Sequence, residues 1–265
     1  MENINNFKFN IPAQVNKNII DAEYDCPLCH DTGILLNDKN EAMPCKCRIS
    51  RRLKEKQQKA NLAPALLKMK LTNFDNSYYS VKRKYENGVN YFKLANDAHE
   101  AAVLFAMACN SQYLPNKGLA FFGDVGSGKT HLAAGIANEL VQKNVDVLFL
   151  VVPDFLDSLK ATYNQNGEFS EDQLMDRAKK TNVLILDDLG NHTYTEWTQS
   201  KLFSLINYRL NEELPTVFTT NFSIEDLREA VGIRIVSRII GASDIYMLKT
   251  EEDIRYIKGK PKSKK

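Results

Sequence analysis

From about Tyr91 to Lys258 the chain alternates between two kinds of apolar pattern. Short, mostly apolar runs at Gly118–Phe122, Val145–Val152, Asn182–Leu186, Thr216–Thr220 and Asp244–Leu248 read as strands. Between them lie stretches with helical period. Lys129–Lys143 sets Leu132, Ile136 and Leu140 on one face, and Pro153–Tyr163, Ser170–Lys180 and Glu196–Asn211 follow the same period. Ser170 with Gln173 fits a capping box at the start of one of these helices. Strands alternating with helices in this way predict an α/β fold, with a parallel sheet covered by helices on both faces.

The chain before Tyr91 has another character. Residues 1–20 are polar, rich in Asn and without period, which predicts a loosely ordered arm. Residues 21–48 hold four cysteines. A basic helix is expected from about Ser50 to Asn61, with Ser50 as N-cap and Pro64 stopping continuation. Turn signals at Asn73–Ser77 and Glu86–Gly88 mark residues 65–90 as a linker. No internal repeat is present. The expected organisation is therefore an arm, cysteine module and basic helix over 1–64, a linker over 65–90, an α/β domain over 91–258 and a basic tail over 259–265.

Composition narrows the class. The 265 residues are 43% hydrophobic and 26% charged, enough to bury a full core. The longest unbroken apolar stretch, Val147–Val152, falls far short of a bilayer crossing. No basic n-region followed by an apolar h-region is seen, so a cytoplasmic protein with no membrane partner is expected. The net charge of +2 says little, but its distribution is uneven. Lys46, Arg48, Arg51, Arg52, Lys54, Lys56 and Lys59 face a single Glu55, and the end of the chain from Lys258 is lysine-rich. Such blocks either contact phosphates or form a solvated helix face and a frayed tail.

The segment Gly123-Asp124-Val125-Gly126-Ser127-Gly128-Lys129-Thr130 matches G-x-x-x-x-G-K-[ST]. Its glycines let backbone N–H groups turn inward around phosphate oxygens, Lys129 reaches the β- and γ-phosphates, and the Thr130 hydroxyl binds Mg²⁺. A strand precedes the match and an amphipathic helix follows it, so the positive end of the helix dipole adds to the anion site. Val183–Gly190 is an apolar run ending in Asp187 and Asp188, which places both acids at the C-terminal edge of a strand, where open α/β sheets bind ligands. Asp187 would orient Mg²⁺ and Asp188 would polarise the attacking water. A strand falls between the two motifs in sequence, which suits the branch of P-loop ATPases with an additional strand between the two motif strands. Asn221 ends the next strand, where it either contacts the γ-phosphate or the lytic water or serves as a turn residue. Arg234 and Arg238, at i and i+4, share a helix face. They suit a charge clamp on a neighbouring γ-phosphate, or salt bridges within the chain.

The cysteines follow C-x₂-C-x₁₅-C-x-C: Cys26, Cys29, Cys45 and Cys47. Without an export signal, metal is a better reading than disulfides. Four thiolates would close a tetrahedral structural Zn²⁺ site; free thiols and a catalytic metal are the alternatives, the latter disfavoured by a shell with no open position. The tight C-x-C pair leaves His30 open as a substitute for one thiolate. Ile34–Leu36 reads as one short strand of a ribbon. Cys109, in an Ala-rich helical stretch, reads as core.

Gly123–Thr130, Val183–Gly190, Leu205–Arg209, Leu214–Asn221 and Arg234–Arg238 together resemble the AAA+ ATPases that load bacterial replicative helicases (the DnaC/DnaI type). They are also similar to the related IstB-type transposition ATPases. The resemblance covers about residues 95–257. It implies a five-stranded parallel sheet, ATP held at a subunit interface, Gly123–Thr130 as Walker A, and Asp187 and Asp188 as Walker B. It further implies Asn221 as sensor 1, Arg238 as the arginine finger and Arg234 as a second interface arginine. Asp188 departs from the usual AAA+ Glu, which implies slow hydrolysis, and neither a sensor 2 arginine nor a helical lid is visible.

Loaders of the DnaI kind carry a zinc-bearing module that grips the helicase, and the transposition relatives usually lack one. The resemblance therefore implies a loader that binds a hexameric replicative helicase of the DnaB type, places it on single-stranded DNA, self-associates through the ATP interface and uses ATP as an assembly and release switch. The alternatives are an accessory ATPase delivering target DNA to a transposase, and a nucleotide-binding adaptor that barely hydrolyses ATP. Tyr78, Tyr79, Lys82, Arg83, Lys84, Tyr85, Tyr91 and Phe92 interleave aromatics with bases, either as a stacking platform for single strands or, the reading favoured here, as a linker packed on the ATPase domain.

Overall fold

The computed structural model describes residues 24–162 and 170–259. The arm expected over 1–20, the Tyr163 end of one helix and most of the basic tail lie outside the described residues. Two compact units are present, one ending at Arg52 and the other beginning at Leu53.

In the first unit, strands β1 (Ile34–Leu36) and β2 (Ala42–Pro44) pair antiparallel, with Ile34 opposite Pro44. The turn between them is set by Asn37, whose Oδ1 accepts from the N–H groups of Lys39 and Glu41 at 2.9 Å each. Helix α1 spans Cys47–Lys59, so it begins before Ser50 and crosses the boundary between the units. Ser50 is not its N-cap; it lies inside the helix, with its hydroxyl donating to the Cys47 carbonyl at 2.9 Å. The reason is the second cysteine pair, whose turn (Arg48 N–H to Cys45 carbonyl, 3.1 Å) runs straight into the helix. The helix stops where Asn61 takes a left-handed conformation (φ 58°), which Asn tolerates well.

The second unit is built on five parallel strands: β3 (Gly118–Gly123), β4 (Val147–Val151), β5 (Val183–Asp187), β6 (Thr216–Thr220) and β7 (Ser243–Leu248). Their spatial order is β4-β5-β6-β3-β7, so β6 separates the two strands that carry the motifs. Side chains alternate along each strand. Leu119, Phe121, Val147, Phe149, Val183, Ile185 and Val217 enter one apolar layer with α2 (Tyr91–Ala108) and α3 (Lys129–Gln142). Ala120, Phe122, Leu148, Leu184, Leu186 and Phe218 enter the other. That second layer contains buried side chains of α4 (Val152–Ala161), α5 (Glu171–Lys180), α6 (Glu196–Asn211), α7 (Ile224–Val231) and α8 (Ile233–Ala242). A short helix α9 (Ile254–Gly259) follows β7. The Ser170–Gln173 capping box is present at the start of α5. Cys109 is fully buried and caps α2.

Residues 65–90, expected as a linker, instead belong to the packing of the second unit. Three 3-10 turns cover Leu66–Lys68, Leu71–Asn73 and Asn76–Tyr78. Leu71 and Tyr79 are buried, and Asn138 of α3 donates to the carbonyls of Leu66 (2.9 Å) and Met69 (2.7 Å). Apolar residues carried on isolated turns follow neither the helical nor the strand period, and so the pattern hides them. Among the described residues, no helix is long and apolar enough to cross a membrane.

Candidate functional site

At the end of β3 the backbone must pass under the last residue of β7. Gly123 takes φ 145°, and a Cβ there would lie 1.8 Å from the Leu248 carbonyl oxygen, so only glycine fits. The loop then turns through Gly126 (φ 70°) and Gly128 (φ 94°) into α3. Its outer side is held by two segments remote in sequence. The Tyr79 hydroxyl donates to the Ser127 carbonyl at 2.6 Å, while Asp124 accepts from Lys249 Nζ (2.8 Å) and from the Thr250 N–H (3.2 Å). Tyr79 and the 249–254 segment were not singled out as loop supports in the sequence, because nothing local ties them to the motif.

Lys129 is buried, and its ammonium donates to the carbonyls of Gly123 (3.0 Å) and Asp124 (2.6 Å). Burial pushes its pKa down to about 8, against the pull of Asp124, Asp187 and Asp188. Thr130, the next residue, donates to both oxygens of Asp187 at 2.9 and 3.2 Å. Asp187 is itself buried, and burial pushes its pKa up, although bonds from Thr219 and Thr130 oppose the shift. An ammonium and a carboxylate, each driven toward neutrality, fit a ligand that brings charge of both signs. A magnesium ion held by Thr130 and Asp187, with polyphosphate around Lys129, would match that demand.

Asp188 has a left-handed backbone (φ 59°), uncommon outside glycine, and its N–H donates to Thr219 Oγ1 at 2.9 Å. Its carboxylate accepts from Asn221 Nδ2 on Oδ1 and from Asn191 Nδ2 on Oδ2, both at 2.9 Å. Thr219 also donates to Asp187 Oδ1 at 2.6 Å, so one hydroxyl links the two acids. The structure thus brings Lys129, Thr130, Asp187, Asp188 and Asn221 together. It adds Thr219 and Asn191, which sequence reasoning missed. Strand period was the available signal for Thr219, two residues before Asn221 and so on the same face. For Asn191 there was only its position three residues after Asp188. Val125, Asn191, Asn221 and Phe222 border an open cleft of about 800 Å³.

Arg234 and Arg238 lie exposed on α8, with guanidinium carbons 4.5 and 5.9 Å from the centre of the Phe203 ring on α6. Among the described residues neither makes an ion pair, so the alternative of an internal salt bridge is not realised there. Three aromatics of the basic-aromatic stretch meet segments distant in sequence: Tyr79 is buried with its hydroxyl on the Ser127 carbonyl, Lys258 lies over the Tyr78 ring at 5.2 Å, and Lys249 lies over Tyr85 at 5.4 Å.

In the first unit the sulfurs of Cys26, Cys29, Cys45 and Cys47 all lie within 4.8 Å of one another. Cys26–Cys45 and Cys29–Cys47 are 3.8 and 3.3 Å apart. A tetrahedral shell with Zn–S bonds of about 2.3 Å spaces its sulfurs about 3.8 Å apart, so the donor set fits zinc. The knuckle after Cys26 uses left-handed His30 and Asp31, and the Gly33 N–H faces Cys29 Sγ at 3.3 Å. His30 is not among the four ligand candidates; its ring lies 4.8 Å from that of Tyr24.

A model of the IstB-like ATP binding protein family matches residues 53–245. The chain is 35% identical to the replicative helicase loader DnaI of Bacillus subtilis (strain 168) over 113 residues, 42% of this chain and 35% of that protein. It is 29% identical to the replicative helicase loader DnaC of Escherichia coli (strain K12) over 128 residues, 48% of this chain and 52% of that protein. The aligned stretches thus span about a third and about half of these relatives. Among solved structures, a crystal structure of DnaI superimposes with a TM-score of 0.56 at 26% identity, covering 74% of this chain and 99% of that one. The parallel α/β sheet and a family match across most of the chain agree: this protein belongs to the family of IstB-like ATP-binding proteins.

Proposed function

We propose that the chain is an ATP-dependent loader of a replicative helicase. Membership in the family makes ATP and Mg²⁺ its expected ligands and ATP hydrolysis its expected reaction, and relatives named replicative helicase loaders support the role and a helicase partner. The observation that carries the catalytic part is the bond from Thr130 to Asp187 beneath the phosphate loop, with Asp188 and Asn221 beside it.

In this reading Thr130 and Asp187 hold Mg²⁺, and Lys129 with the loop around it (Gly123, Asp124, Val125, Gly126, Ser127 and Gly128) holds the phosphates. Water oxygen bonds to the γ-phosphorus as its proton passes to Asp188, and the β–γ bridging oxygen leaves with ADP. Asn221 orients the γ-phosphate or the water. Arg238, with Arg234, is presented to a neighbouring copy's γ-phosphate, which makes ATP an assembly switch and hydrolysis the release step. Cys26, Cys29, Cys45 and Cys47 hold a structural zinc ion, and the module grips the helicase while the AAA+ assembly meets single-stranded DNA. The setting is cytoplasmic.

The test is capture of partners from native extract by the zinc-loaded full chain with ATP. Recovery of a hexameric replicative helicase, lost in the Cys26→Ser/Cys29→Ser variant, is the expected result. Recovery of a transposase, or of DNA alone, would overturn the loader reading and leave the ATPase reading standing.

A further inference from the structure

We infer that Asn191 is a positioning residue for Asp188, clamping its carboxylate toward the cleft together with Asn221. This rests on the hydrolysis reading above.

The two adjacent acids have divided roles. Asp187 engages hydroxyls, accepting from Thr130 and Thr219. Asp188 engages amides, one on each oxygen, at 2.9 Å from Asn221 and 2.9 Å from Asn191. A carboxylate offers about four lone-pair sites, so two amide bonds fix its plane while leaving each oxygen able to accept from water. Amides neither take nor supply a proton near neutral pH, so the clamp orients the base without competing with it.

One anchor would not suffice. Held through Oδ1 alone, the carboxylate would pivot about that bond, and Asn221 is also the amide expected to turn toward phosphate. Asn191 is then the anchor that remains on Oδ2. It is well placed to do so, because the turn after β5 is tight: the His192 N–H donates to the Gly190 carbonyl at 3.0 Å, and the Gly190 N–H donates to the Tyr194 hydroxyl at 3.1 Å. Asn191 and Asn221 line the same cleft as Val125 of the phosphate loop. Asp188 has one methylene fewer than Glu and cannot swing out to find the water, so its orientation matters more.

A bland alternative is a turn contact that only shapes the backbone. Steady-state ATP hydrolysis by the full chain separates the two, measured with and without a single-stranded oligonucleotide. Asn191 is exposed, so Asn191→Ala should melt with the wild type. The expected result is a kcat lowered about tenfold, with KM and nucleotide affinity within about twofold of wild type. Asp188→Asn should lose about 10²-fold or more, and adding Asn191→Ala to it should change nothing further. The inference is overturned by a wild-type kcat in Asn191→Ala, by an equal loss in the Asp188→Asn background, or by a loss of nucleotide affinity as large as that of kcat. Those results leave the hydrolysis reading intact. A wild-type chain that binds ATP but never turns it over would instead overturn that reading and this inference with it.

Discussion

In the four-cysteine unit the buried side chains are Cys26, Cys29 and Cys45, with Leu35 and Cys47 packed against them. In the α/β unit, Phe121, Phe122, Phe149, Phe218, Leu184 and Ile185 are buried on both faces of the sheet. The first unit leaves Leu28, Ile34, Leu36 and Ile49 exposed and has little apolar area to bury. A metal ion held by the four sulfurs would supply there what a core supplies elsewhere. In the second unit the apolar layers carry stability, which lets the strand ends hold charged groups in unfavourable surroundings. Lys129 and Asp187 are both pushed toward neutrality by burial, and only a well-packed scaffold tolerates such groups until a ligand completes them.

The largest expected effect tests the metal dependence of the first unit. Structural zinc contributes about 10–16 kcal/mol to such modules. Chelation, or Cys45→Ser, should abolish amide protection over residues 24–46 in hydrogen exchange. Protection in β3, β5 and β6 should persist; loss of both together would show that the units do not fold independently.

Next is Arg209, fully buried on α6. It donates to the carbonyls of Ala178, Lys179, Thr181 and Pro215 and, through Nε, to Thr216 Oγ1. Arg209→Ala strands those acceptors and should cost about 3 kcal/mol or more. Denaturant unfolding of the second unit reads this out, with zinc content unchanged.

The third effect is on pH dependence. Lys129 has a folded pKa of about 8, below its ordinary value of 10.5. Between those values the unfolded chain binds more protons, so this group makes the ligand-free unit more stable as pH rises from about 8 toward 10.5. Phosphate favours the charged ammonium. Nucleotide affinity should therefore be flat below about pH 8 and fall above it. Calorimetry at pH 8.5, in two buffers of different ionisation heat, should show proton uptake on binding. No uptake would mean that Lys129 does not meet the phosphates.

The smallest effect is at the surface. Arg83→Ala breaks an exposed pair with Glu251 and should cost under about 1 kcal/mol in thermal melts. A larger loss would mean that residues 65–90 contribute more to the second unit than their turns suggest.

Sequence alone determined what is local. The phosphate loop, the acids at the end of β5, the Ser170 cap and the cysteine spacing each lie within a short stretch whose residue types answer to a single physical demand. The strand-helix alternation was legible for the same reason, since burial on both faces makes each strand a continuous apolar run. Tertiary structure decided what depends on distant partners. It placed β6 between β3 and β5, and with it Thr219 between Asp187 and Asp188. It packed residues 65–90 against α3, brought Tyr79 and Lys249 to the phosphate loop, and stacked Arg234 and Arg238 on Phe203. Hydrogen bonds and ring contacts act over a few ångströms of space whatever their separation along the chain, so periodicity can give a residue's face and not its partner.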